Sequence, residues 1–79
     1  MTLDELKPNQ SAYIKRICLS GRIRQRLLDL GIVSGTPVTF VRSAPMGDPI
    51  DIYFRGFELT LRRESAKNIE IERINGNES

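Results

Sequence analysis

The stretch "PIDIYFRGFELTLR", from Pro49 to Arg62, constrains the fold more than any other. Ile50, Ile52 and Phe54 alternate with Asp51, Tyr53 and Arg55, the period of a strand with one buried face. Arg55-Gly56 then makes a tight turn, because Gly56 tolerates positive φ. Phe57, Leu59 and Leu61 resume the inward face, with Glu58, Thr60 and Arg62 outward. The pattern specifies an antiparallel hairpin whose apolar face the rest of the chain must cover.

The flanking segments supply that cover. "TLDELKP" places Thr2 three residues before Glu5, the spacing of a capping box, and Leu3 and Leu6 share one face of a short turn that Pro8 stops. "SAYIKRICL" predicts a first strand whose imperfect alternation at Tyr13 and Ile14 calls for a bulge or bend. "SGRIRQRLLDLG" changes period: Ile23, Leu27 and Leu30 fall on one helical face, with Ser20 as N-cap and Gly31 as a left-handed C-cap. "TPVTFVRSAP" returns to period two, with Val38 and Phe40 inward. "RESAKN" predicts one helical turn, and "IEIERI" a last strand with Ile69 and Ile71 inward. With 79 residues this is one domain, expected over residues 1–74, with 75–79 a loose polar tail. The fold expected is mainly β: a small SH3-like antiparallel barrel of about five strands, with one α-helix inserted after the first strand. Closing such a sheet removes its edges.

Composition excludes most chemistry. There is no histidine, so no His-based triad, proton shuttle or His-ligated metal is available. The single cysteine, Cys18, has no internal disulfide partner and no histidine to activate it. It is expected to be small and partly buried. The N-terminus lacks a basic start and a long apolar run, and no stretch is long and apolar enough to cross a bilayer. The expected location is cytoplasmic. A net charge of +2 is too small to imply nucleic acid by itself.

From Arg26 onward an ordered set of elements emerges: Arg26-Leu27, Leu30-Gly31, Gly35-Thr36, Ala44-Pro45, Gly47-Asp48-Pro49, Gly56, and Glu64-Ser65-Ala66 ahead of Ile69 and Ile71. In this order and spacing the chain resembles the FeoA-like family, the ferrous iron transport protein A domain, from about Leu3 to Ile74. The resemblance implies an SH3-like barrel and a non-enzymatic accessory role in ferrous iron uptake, beside the FeoB permease with its cytosolic GTPase domain. Similar domains occur fused to that permease or to metal-dependent repressors. With no DNA-binding helical segment ahead of the domain, the stand-alone accessory is the expected form.

Two stretches are candidate partner-binding sites. The first is Pro45, Met46, Gly47, Asp48 and Pro49. Two prolines break the ladder, Gly47 gives freedom, and Asp48 can hydrogen-bond its own turn. Plain turn chemistry is the commoner explanation of such residues. The alternative is a rigid protruding loop that docks through Met46, an adaptable apolar tip. The second is the helix, where Arg22, Arg24 and Arg26 crowd the positive end of the dipole. A solvated face is the usual reason for such charges, but this placement suits an anionic partner. Leu28, beside the Leu27 face, is core periphery or a docking residue. Arg62, Arg63 and Lys67 form a further basic cluster that Glu64, Glu70 and Glu72 are placed to neutralise.

No cofactor is expected, and no metal ligand is assigned. Asp48 and Asp51 meet at the loop mouth, enough for weak divalent-cation binding at most. The expected function is protein–protein interaction with the cytosolic region of the permease, with the membrane reached only through that partner. Two alternatives stay open. One is a weak transition-metal-sensing domain. The other is a small basic barrel binding nucleic acid through its arginines and Tyr13 or Tyr53, disfavoured because few aromatics are expected to face outward.

Overall fold

The computed structural model describes residues 1–74. After an N-terminal 3-10 turn, Leu3–Glu5, the elements are β1 (Ser11–Ile17), α1 (Gly21–Asp29), β2 (Pro37–Ser43), β3 (Ile50–Phe54), β4 (Phe57–Leu61), α2 (Arg63–Ala66) and β5 (Ile69–Arg73). The five strands form one antiparallel sheet in the order β4-β3-β2-β1-β5. Ladder hydrogen bonds run from β4 to β5 without closing the ring. The short α2 turn links these two ends. The architecture is the SH3-like one the strand count calls for, with a seam in place of full closure.

Two bulges bend the sheet around its core. The β1–β5 register shifts between Ile14 and Arg16, and the β2–β3 register shifts between Phe40 and Arg42. An extra residue on one strand strengthens local twist and turns the strand. The Tyr13/Ile14 irregularity signalled the first bulge; the second has no such sequence signal. Ile14, Ile17, Val38, Phe40, Ile50, Ile52, Phe54, Leu61, Ile69 and Ile71 are buried in one cluster with Leu3, Leu6, Leu27 and Ile32.

Local chemistry agrees with the pattern at several joints. The Glu5 carboxylate accepts the Thr2 backbone N–H at 2.6 Å and holds the first turn. At the end of α1, the Gly31 N–H donates to the Leu28 carbonyl and the Ile32 N–H to the Leu27 carbonyl. With Gly31 at φ 93°, this is a Schellman termination, and it delivers Ile32 into the core beside Leu27. Ser20 stands at the N-cap, but its side chain makes no capping hydrogen bond. The β3–β4 turn has positive φ at both Arg55 and Gly56, the twist that suits a two-residue hairpin.

Three assignments change. Phe57, expected inward, is 66% exposed, and Leu59 is only half-buried. On α1, only Leu27 is fully buried; Ile23 is half-buried and Leu30 is exposed. Cys18 is exposed, not partly buried. The 75–79 tail lies outside the described residues.

Asp51 on β3 accepts the Thr60 hydroxyl at 2.7 Å and the Arg42 guanidinium at 2.8 Å. The Thr60 hydrogen bond, then Arg42, holds its carboxyl below the usual carboxylate range. A carboxyl depressed in the folded state stabilises above its unfolded pKa of about 4, and that contribution disappears as pH falls through the folded value. Asp51→Asn is therefore expected to lower the melting temperature slightly near neutrality. The gap from the parent should narrow as pH drops below about 4; a gap that widens on acidification would contradict this pairing.

Candidate functional site

The Pro45–Pro49 segment is the β2–β3 connection. It closes through the Ala44 N–H donating to the Pro49 carbonyl at 2.9 Å and the Gly47 N–H donating to the Ala44 carbonyl at 2.7 Å. Gly47 sits at φ 89°, and the Asp48–Pro49 peptide is cis. Met46 at the tip is 93% exposed. Asp48 does not bond its own turn as expected. Its Oδ1 accepts the Arg63 backbone N–H at 2.8 Å, an orphan donor at the start of α2. Arg63 answers with its side chain: Nε donates to the Gly47 carbonyl at 2.6 Å and Nη1 to the Asp4 carbonyl at 2.8 Å. The loop is thus tied to α2 and to the N-terminal turn, and its apolar tip is held outward.

Arg63 was not among the site residues expected from the sequence. It stood in a basic cluster expected to be neutralised by nearby glutamates. Glu70 instead pairs with Arg16 at 2.9 Å, and Arg63 bonds to carbonyls. Asp48 and Asp51 are engaged separately, by Arg63 and by Thr60 with Arg42. Among the described residues no group of three or more Cys, Asp or Glu side chains is placed to hold a metal ion.

The three helix arginines separate. Arg24 folds back, its Nη1 donating to the Ile17 carbonyl at 2.9 Å, so it fastens α1 to the end of β1. Arg22 and Arg26 are exposed and make no ion pair among the described residues. Leu28 packs on the core edge, as periphery. Together with Lys15, Arg24 and Val33 it lines a cleft of about 230 Å³ on one flank of α1. On the other flank, Ile23, Arg26 and Leu27 face Leu59, Leu61 and Arg62 across a cleft of about 150 Å³. Arg62 borders that cleft and the adjoining Arg63 holds the loop, so α2 joins the helix candidate to the loop candidate.

More aromatic surface faces outward than the sequence suggested: Tyr13, Tyr53 and Phe57 are all exposed. Tyr13 lies opposite Glu72 and Tyr53 opposite Glu58. A nucleic-acid backbone laid on these rings would meet carboxylates, which works against phosphate binding.

A partly open antiparallel barrel with one helix after its first strand defines a small SH3-like domain. The chain belongs to the FeoA domain family, whose pattern matches residues 1–73. It is 39% identical over 77 residues to an Fe(2+) transport protein A/Fe(2+) transporter FeoB fusion protein of Porphyromonas gingivalis, covering 98% of this chain and 9% of that protein's length. The chain thus spans about a tenth of that relative's length. The solution structure of FeoA from Chlorobium tepidum superposes with a TM-score of 0.93 at 38% identity, covering 100% of this chain and 75% of that one. FeoA of Stenotrophomonas maltophilia, crystallised with zinc and described as an SH3 domain protein, gives 0.78 at 32% identity, covering 91% and 89%. No described helix is long and apolar enough to cross a membrane.

Proposed function

We propose that this chain is a non-enzymatic accessory of ferrous iron uptake that docks onto the cytosolic region of a FeoB-type permease. The observation that carries this reading is the Porphyromonas gingivalis relative, in which a segment like this chain and an Fe(2+) transporter share one polypeptide. Fusion raises effective concentration and preserves contacts that separate chains make by encounter. The Stenotrophomonas maltophilia relative is described in terms of activating ferrous iron transport, the same kind of role. The surfaces offered for docking are Arg22, Arg26 and the flank of α1 with Leu28, and the Pro45, Met46, Gly47, Asp48 and Pro49 loop. Arg24 supports the helix position rather than contacting the partner. The protein acts in the cytoplasm and modulates the permease by binding its conformational states unequally. The iron passes through the partner, because this chain has no histidine and one thiol and so lacks the ligand set of a tight transition-metal site.

The test is an amide NMR titration of the labelled protein with the isolated cytosolic region of its cognate ferrous permease. Shifts are expected at Arg22–Leu30 and at Pro45–Pro49. An unchanged spectrum at high partner concentration sinks the docking proposal. A parallel titration with ferrous ion alone should give no stoichiometric binding. A saturable site at one ion per chain would favour the metal-sensing alternative.

A further inference from the structure

The apolar pattern of α1 and β4 exceeds what the core uses. Leu27 and Leu61 are buried, but Ile23 and Leu59 are half-buried, and Leu30 and Phe57 are exposed. These residues follow helical period on one element and strand period on the other, so each set forms one wall. The walls face each other: Ile23 and Leu27 stand across the 150 Å³ cleft from Leu59 and Leu61. The Arg55 guanidinium lies close against Gly31 and brings the β3–β4 turn to the end of α1. Leu30 and Phe57 therefore extend the two walls at the same end.

Two further features say what belongs between them. β4 is an end strand, hydrogen-bonded only to β3, so the backbone groups on its other edge have no strand partner among the described residues. Arg26 and Arg62 line the cleft. Neither makes an ion pair among the described residues, where the ion pairs use Arg16 and Arg42. Glu58, on β4, is drawn toward Arg42 at 3.7 Å. The cleft is apolar at its floor, cationic at its rim, and bounded by an unpaired strand edge.

We propose that this groove binds an extended segment of a partner protein, which pairs with the free edge of β4. One apolar side chain of the segment enters between Ile23 and Leu59, and flanking carboxylates meet Arg26 and Arg62. Strand addition supplies backbone hydrogen bonds for affinity, and the side-chain pocket supplies choice. The opposed charges steer the encounter and weaken with salt. The inference rests on the interaction-module reading above, and names the kind of segment such a module takes.

The probe is a short blocked peptide of alternating glutamate and valine with a central leucine, titrated into the labelled protein. Shifts are expected along Ile23–Leu30 and Phe57–Leu61, with slowed exchange of outward β4 amides. The same peptide with alternate backbone amides N-methylated, and a version with lysine for glutamate, should each bind about tenfold or more weakly. The protein variant Arg26→Glu/Arg62→Glu, changed only at exposed positions, should keep the parent's spectrum and lose the peptide. Undisturbed β4 amides overturn the proposal, as does equal binding of the N-methylated or lysine peptide. Concentration-dependent β4 shifts without peptide would make a second copy the occupant and also overturn it. If the peptide fails while the permease region still shifts α1 and the loop, only the groove falls. If the peptide binds and the permease region does not, the groove stands and the permease assignment falls.

Discussion

Leu27→Ala is expected to cost about 3 kcal/mol and to release α1 while the sheet stays paired. Truncating a buried leucine loses its transfer free energy and leaves a cavity. At this position the loss is also local. Leu27, 1% exposed, is the only fully buried side chain of the nine-residue α1. A helix that short is marginal on its own in water, so without its anchor little keeps it formed. The Schellman termination fails with it, because Ile32 packs in the same cluster as Leu27. A domain of 79 residues has a total stability of about 4–12 kcal/mol, so the loss is a large share. Denaturant unfolding should show the drop, and hydrogen exchange should place it, with α1 amides losing protection before those of β1–β3. If α1 amides remain as protected as the sheet, Arg24 and the half-buried Ile23 hold the helix without Leu27. Partner binding through α1 should fall in step with helix protection.

The hairpin from Ile50 to Leu61 was legible because period two is unambiguous in a strand with one buried face. Ile50, Ile52 and Phe54 are buried as that period requires. The helix stop at Gly31 was legible for an equally local reason: a glycine after an apolar helical face supplies the positive φ that ends it. Phe57 and Leu59 mark the limit of such reading. Periodicity tells which residues share a face but not whether anything covers that face, and β4 lies at the end of the sheet. The same gap misplaced Ile23 and Leu30. The loop was legible as a turn from its prolines and glycine. Its fastening was not, because the Asp48–Arg63 contact spans 15 residues and depends on the whole sheet curling. One weak signal was present: an arginine opening a helical turn is disfavoured by the dipole and so hints at an outside partner. Turn residues and crowded arginines located the candidate loop and helix without saying that Arg24 is structural or that α2 lies between them.

Arg63→Met is expected to destabilise the domain by about 2–4 kcal/mol and to loosen the Pro45–Pro49 loop. Methionine keeps much of the arginine stem and removes the donors to the Gly47 and Asp4 carbonyls. Hydrogen bonds from a charged donor contribute about 1.5–3 kcal/mol each. Partial exposure here keeps the sum toward the lower end, since water can reach the freed carbonyls. The Arg63 backbone N–H still donates to Asp48, so α2 keeps its outside cap and the loop keeps one of its two ties to Arg63. Arg63→Lys separates charge from geometry. An ammonium can serve one carbonyl but not both at the angles of a guanidinium fork, so it should recover part of the loss. In solution the Met46 methyl signal should sharpen in Arg63→Met, with the α1 amides unmoved. Titration with the permease region then decides what the loop is for. If the loop docks, affinity falls as the tip loses its fixed direction, because ordering it again costs conformational entropy on binding. If affinity is unchanged while the loop is demonstrably looser, Met46 contributes nothing to docking, and the two prolines shape a turn.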